Sequence, residues 1–303
     1  MKFFNQLFQN DETWSIDRQW YFRIVEFILM LQLIYYSWSW GYYIQHLSTV
    51  VLPLGLANYI DVSVLFHHNY SLILAILATV TALLGFFRIK PWMYAFSLLF
   101  FHLIYISRFS QGEISHGANM LGVAIMSLAV ATFSFKNEGQ IQKFAWGMII
   151  FLIGFSYTSA AFCKLIGTGF NWADGQHLWL WMHELATDRL SENGSFSFNF
   201  FQEFLFRHHW LATIVLLSGW IVEFLGITLW FNKLRPYIAT LLIGLHVGIY
   251  LSMRINFVDN FGVMLVMIGY PWHHLIHQIR EKYSGTFRNL RFSRFFSLFI
   301  SDR

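Results

Sequence analysis

Charge is what this sequence has least of. Only 12% of its 303 residues are Asp, Glu, Lys or Arg, about half the share carried by a soluble domain. That is too little to coat a water-facing surface. It excludes a soluble globular enzyme, a disordered chain and a nucleic-acid-binding domain, so no nucleic acid partner is expected. Cysteine is scarcer still, and the single Cys163 excludes an internal disulfide framework. The chain also has no glycine-rich phosphate loop, nucleophile elbow or zinc-protease helix. What it does have is apolar and aromatic: hydrophobic residues make up 56% and Phe, Trp and Tyr 20%, with a mean hydropathy of +0.49. Such a balance predicts an all-α, polytopic membrane protein, because backbone polar groups in lipid must be paired within each helix. A β-barrel would show alternating apolar residues, whereas these runs are continuous.

A crossing helix needs about 20 mostly apolar residues. Runs of that kind predict about eight transmembrane helices, at roughly 22–45, 70–87, 92–108, 119–135, 144–163, 211–231, 236–253 and 256–270. The last two have almost no link between them, so the turn near Arg254 and Asn256 is tight or the eighth segment is re-entrant. The polar, aromatic start MKFFNQLFQNDETWSIDRQW gives no expectation of a cleavable leader. Basic residues near span ends set orientation. Arg18, Arg23, Arg88, Lys90, Lys136, Lys143, Lys233 and Arg235 fall on one side, whereas residues 46–69 contain no Lys or Arg. Both termini are therefore expected in the cytoplasm, and the 164–210 connection outside. Residues 1–272 read as one transmembrane domain. Residues 273–303 read as a cytoplasmic basic amphipathic tail, with Arg280, Lys282, Arg288, Arg291 and Arg294 among Phe287, Phe292, Phe295 and Phe299. A helix of that kind lies on a bilayer with anionic lipids or docks on a partner.

Ionisable groups at membrane depth are costly and mark candidate sites. Glu223 sits mid-span in LSGWIVEFLGITLW and His246 mid-span in LLIGLHVGIYL. They take part in a site or form a Glu–His hydrogen bond that ties two helices together. Lys164 ends the fifth span in FSYTSAAFCKLIG, where Tyr157, Ala160, Ala161 and Lys164 share a face at three-to-four spacing. A lysine there is a snorkelling anchor or, taken partly out of water, a base. His116 lies in SQGEISHGANM, on the same expected side as Lys164. His67 with His68, His208 with His209, and His273 and His274 with His277 lack an accompanying Cys, Asp or Glu set, so no metal is expected.

The stretch FSYTSAAFCKLIGTGFNWADGQHLWLWM resembles the HTTM superfamily, the membrane domain shared with vitamin K-dependent gamma-carboxylase. In that family a small-residue helix face leads to Lys-Leu, a Trp and a Gly-containing turn, matched in order by Lys164, Leu165, Trp172 and Gly175. VEFLGITLWF, GLHVGIYLSMRINFVDNFGVMLV and ISHGANMLG are similar to its segments carrying an acidic residue, an intramembrane histidine and a loop histidine. Their matches here are Glu223, His246 and His116. The resemblance implies a lyase or oxygenase in which Lys164 and His116 are catalytic, acting on a reduced quinone (vitamin K hydroquinone-like) with O2 and CO2. Tyr157, Trp172, Glu223, His246 and Asn256 would line the substrate pocket. Cys163 stands where the family has a second lysine and Ser115 where it has an Asn, and the family's large extracytoplasmic domain has no counterpart here. Quinol oxygenation or peptide modification is therefore expected more readily than full glutamate carboxylation. Stand-alone members of the family imply a bacterial inner membrane and, as the other expectation, a non-catalytic partner in maturation or export of a secreted peptide toxin of the sporulation-delaying type.

Overall fold

The computed structural model describes residues 14–46, 51, 52, 54–110, 116–257 and 261–287. Among the described residues every regular element is a helix. Helix α1 spans Ile16–Ile44, α2 Tyr70–Phe86, α3 Tyr94–Phe109, α4 His116–Ser134 and α5 Glu138–Thr168. They are followed by α6 Gly175–Asn193, α7 Phe200–Arg207, α8 His209–Phe224, α9 Arg235–Met253, α10 Val263–Gly269 and α11 His273–Phe287.

Four stretches are long and apolar enough to cross a membrane by length and composition: Pro91–Phe109, Glu138–Ala173, His209–Trp230 and Arg235–Met253. Tyr70–Phe86 and Asn119–Ser134 are apolar but shorter. The chain is thus a membrane protein built of helices. Helix α1 starts earlier than its apolar run because the Ser15 hydroxyl accepts the Arg18 N–H at 3.3 Å and Asp17 sits in the first turn, where the helix dipole favours an acid. The expected span at 256–270 differs most from the structure. There α10 has seven residues, about 10 Å of helix, and residues 258–260 lie outside the described set. Helix α9 stops because Arg254 takes the left-handed conformation, φ 51° and ψ 22°, and Pro271 stands two residues after the end of α10.

Two compact units are drawn from the chain, one from Met1–Ile149 with Pro271–Arg303 and one from Ile150–Tyr270. In the first, α1, α2, α3 and α4 pack in sequence. A Cβ on Gly41 of α1 would stand 2.9 Å from the Ser71 carbonyl of α2, and the Ser71 hydroxyl donates to the Gly41 carbonyl at 2.6 Å. The core also holds charge. Glu26 accepts from Arg23 at 2.5 Å, from Arg88 at 2.5 and 3.0 Å, and from Tyr94 at 2.5 Å. Arg88 reaches on to Glu138 at 2.7 and 2.8 Å, and Gln142 donates to Glu138 at 2.9 Å. Two arginines and two glutamates thus balance each other. The first part of the basic tail is α11. It is tied to the first turn of α1, with His277 Nδ1 and Arg280 at 3.0 and 3.2 Å from Asp17 and Arg18 donating to His273 at 3.4 Å. Residues 288–303, with most of the expected Phe and Arg interleaving, lie outside the described residues.

In the second unit the expected outer connection, 164–210, is largely helical. The Asp174 side chain caps α6 by accepting the Gln176 N–H, and Asn199 and Gln202 form a capping box that starts α7. Leu178 and Met182 of α6 bury against Leu205 of α7 and Ala212, Leu216 and Trp220 of α8.

Candidate functional site

The site begins with a break in a membrane-spanning helix. Helix α8 ends at Phe224 and the chain continues as a 3₁₀ helix over Leu225–Trp230, which leaves backbone groups without α-helical partners. Thr158 of α5 fills the gap: its hydroxyl donates to the Phe224 carbonyl at 3.1 Å and accepts the Ile227 N–H at 2.9 Å. Two glycines let the backbones meet. A Cβ on Gly226 would lie 2.6 Å from the Tyr157 Cβ and 2.9 Å from the Gly154 carbonyl, and one on Gly154 would lie 2.6 Å from the Gly226 carbonyl. This close approach sets the last turn of α8 against α5.

That turn carries Glu223. Both of its carboxylate oxygens accept from Lys164 Nζ, at 2.6 and 2.5 Å. The lysine side chain remains 26% exposed and the glutamate 11%. Nζ stands 4.4 Å from the centre of the Trp172 ring, a cation–π arrangement that favours charge on the amine. Trp172 packs at a tilt against Trp220, 6.2 Å between ring centres, and Trp220 Nε1 donates to the Ala161 carbonyl at 2.9 Å. Of the expected small-residue face, Ala161 is buried and Ala160 exposed.

About two turns before Lys164 on α5, the Tyr157 hydroxyl meets His246 Nε2 of α9 at 2.6 Å. The imidazole is ringed by Phe257 and Phe261, at 5.5 and 5.0 Å between ring centres. Its Nδ1 is buried without a hydrogen-bond partner. The Glu223–His246 bond weighed from the sequence is not formed. Each group instead finds a partner on α5, because Tyr157 and Lys164 are seven residues apart on one helical face and present their side chains to α9 and α8 respectively.

The structure therefore brings together Lys164, Trp172 and Glu223, and joins Tyr157 to His246. Asn256 lies in the loop after α9, between Arg254, which donates to the Ser197 carbonyl at 2.8 Å, and Phe257 beside His246. His116 begins α4 in the other unit, and its side chain lies outside the described residues. Thr158, Gly154 and Gly226 escape sequence reasoning. The signal for them is faint: small residues in GFSYTSA facing small residues in EFLGIT. The broken helix escapes it too, because the apolar run 211–231 is continuous. Outside the spans, Asp174 caps α6 and meets His209 Nε2 at 2.8 Å. The Gln176 N–H and the His209 ring hold its carboxyl below the usual range.

Comparison with known proteins adds no further constraint: no family model, curated protein or solved structure matches the chain.

Proposed function

We propose that this chain is a membrane enzyme of the HTTM type, gamma-carboxylase-like, in which Lys164 serves as base toward a quinol-like or peptide substrate. The observation that carries the reading is the partly open Lys164–Glu223 pair beside Trp172, three of the residues that carry the resemblance. The short contacts offer a proton a direct path between amine and carboxylate. When the shared proton lies on Glu223, the amine can accept a proton from substrate. The Trp172 face then stabilises the ammonium that forms.

A reduced quinone suits the neighbouring residues: His246 offers an unpartnered Nδ1 to a ring oxygen, and Phe257 and Phe261 offer flat apolar walls. Such a quinone, when bound, supplies an oxygen-reactive ring, with O2 and CO2 as the co-reactants that the resemblance implies. His246, oriented by Tyr157, would hold that oxygen, and Lys164 would take its proton. In the membrane we read α1–α5, α8, α9 and the 256–270 segment as eight crossings of a bacterial inner membrane, with both termini cytoplasmic. The ties from α11 to the first turn of α1 support an even number, since they keep the start of α1 and the start of the tail on one side.

Mass spectrometry of small molecules retained by the purified protein, set beside a Lys164→Ala variant, tests the assignment. A quinone retained by the wild type, and quinol-dependent oxygen uptake lost in a variant that still folds, is the expected result. An unchanged rate in Lys164→Ala overturns it. A second reading is a non-catalytic membrane partner for a secreted peptide toxin. It is favoured by the same bonds acting as ties, since Lys164–Glu223 and Tyr157–His246 join α5 to α8 and α9. In that case Glu223→Gln and His246→Ala lower thermal stability first, and peptide maturation falls only in proportion.

A further inference from the structure

Helix α7 is short and sits in what the sequence presents as an aqueous connection, yet one face is aromatic and uncovered. Phe200, Glu203, Phe204 and Arg207, at i, i+3, i+4 and i+7, are its exposed residues, with Phe200 84% exposed. The other face is fixed. Leu205 and Gln202 are buried, Gln202 donates to the Ser252 carbonyl at 2.7 Å and Asn199 to the Leu251 carbonyl at 2.7 Å. These are carbonyls of the last turn of α9, which have no partner within that helix, so α7 closes the end of α9 and cannot roll its phenylalanines inward.

The exposed rings continue one another. Phe200 stacks on Phe204 at 6.2 Å, Phe204 meets His208 at 5.1 Å, and His208 meets Trp210 at 6.4 Å. From Trp210 the line passes directly into the exposed apolar stripe of α8, formed by Trp210, Ile214, Leu217 and Ile221, on a helix of membrane-spanning character. We infer that α7 is an interfacial anchor, lying in the headgroup zone of the bilayer with Phe200, Phe204 and Trp210 inserted, and that it fixes the outer ends of α8 and α9 at that depth. Aromatic side chains gather at this level of a membrane, and a helix with an apolar face binds in the interface plane. The two charges on the same face have opposite sign, and Arg207 stands 3.9 Å from Glu203. The attachment is therefore apolar and independent of lipid charge, unlike that expected of the basic tail. It rests only on α8 being a membrane span, and holds whatever reaction Lys164 performs.

The lone cysteine makes the test simple. In a Cys163→Ser background, a nitroxide label is placed at Phe200→Cys and, separately, at Phe204→Cys. The full chain is reconstituted in phosphatidylcholine nanodiscs, and collision rates are measured with oxygen, which concentrates in lipid, and with a water-soluble nickel chelate. Both substitutions replace exposed side chains. Circular dichroism and monodisperse elution identify folded samples. A several-fold excess of oxygen over nickel collisions at both sites, unchanged when phosphatidylglycerol replaces half the lipid, is the expected result. A nickel rate equal to or above the oxygen rate places α7 in water and overturns the proposal. Low rates with both reagents mean that a second copy or another protein covers the rings, which overturns it equally. An oxygen excess that appears only with anionic lipid refutes the charge-independent attachment.

Discussion

The two units of the molecule each hold charge among apolar helices, but they close it differently. In the first, Glu26 is saturated: one carboxylate oxygen is held by Arg88 and Tyr94, the other by Arg23 and Arg88. Arg88 bridges to a second carboxylate, Glu138, so both Glu26 oxygens are filled and each acid has an arginine partner. In the second, Glu223 has one cationic partner, Lys164, on a pair that is still partly open, and nearby His246 keeps one ring nitrogen unpartnered. A saturated, balanced cluster joins helices. An incompletely satisfied one can exchange a proton or take a ligand. The proposed chemistry therefore belongs to the Lys164 unit and the stabilising role to the Glu26 unit, although both bury a glutamate among apolar helices.

That contrast can be broken most forcefully at Arg88. Removing it in Arg88→Ala strips Glu26 and Glu138 of their shared partner and leaves buried negative charge uncompensated. Such a loss costs about 3–5 kcal/mol, and thermal unfolding in detergent should show a large drop in Tm. A variant that melts with the wild type would mean that the network carries no stability and that the two units do not differ in the way argued. At the break in α8 the effect is smaller. Gly226→Ala drives a methyl against Tyr157 and the Gly154 carbonyl, and overpacking of this kind costs about 1–3 kcal/mol. It also pushes Glu223 off Lys164, so substrate turnover should fall further than stability does.

The ion pair itself sharpens the comparison. Lys164→Met takes the shared donor from both Glu223 oxygens at a partly open site and is expected to lose about 1–2 kcal/mol, while Lys164→Met with Glu223→Gln recovers most of that loss because no charge remains unpaired. Activity, by contrast, stays absent in both. A full double-mutant cycle in melting temperature and turnover reads the two effects separately. If the double variant regained turnover, Lys164 would be a tie between helices and the base would have to be sought elsewhere.

The apolar runs made most of the helices legible, because a membrane helix is written as one continuous hydrophobic segment. The residues of the second unit's site were legible for the same reason: a Lys, a Glu and a His stand out against such a background. Who pairs with whom was not. Hydropathy sets depth but carries no rotation, and it is rotation that gave Glu223 to Lys164 and His246 to Tyr157. Glu26 passed unnoticed although it sits in the run VEFILM, since its partners Arg88 and Tyr94 are 62 and 68 residues away and Arg88 reads naturally as a boundary charge. The close link before the eighth segment was legible in its lack of spacer residues, and the left-handed Arg254 makes that turn; the seven-residue length of the described helix Val263–Gly269 was not. The helices within 164–210 rest on local caps, Asp174 and the Asn199–Gln202 box, rather than on long apolar runs.

The smallest expected effect concerns the junction of α11 with α1 in the first unit. Burial, together with the Arg18 guanidinium and the adjacent His274, lowers His273 to about 4, whereas a histidine in an undocked tail titrates near its usual value of about 6.5. Between those values the undocked form binds a proton that the docked form refuses, so docking is at full strength above about pH 6.5 and weakens as the pH falls toward 4. The groups facing His273 do not all act alike: Arg18 and His274 oppose its protonation and Asp17 favours it. Hydrogen exchange of the α11 amides at pH 7 and pH 5, corrected for the intrinsic rate, should show modestly faster opening at the lower pH. His273→Gln, which keeps an acceptor for Arg18 but cannot titrate, should remove the difference. Equal or slower opening at pH 5 would show that His273 does not set the acid response of this junction.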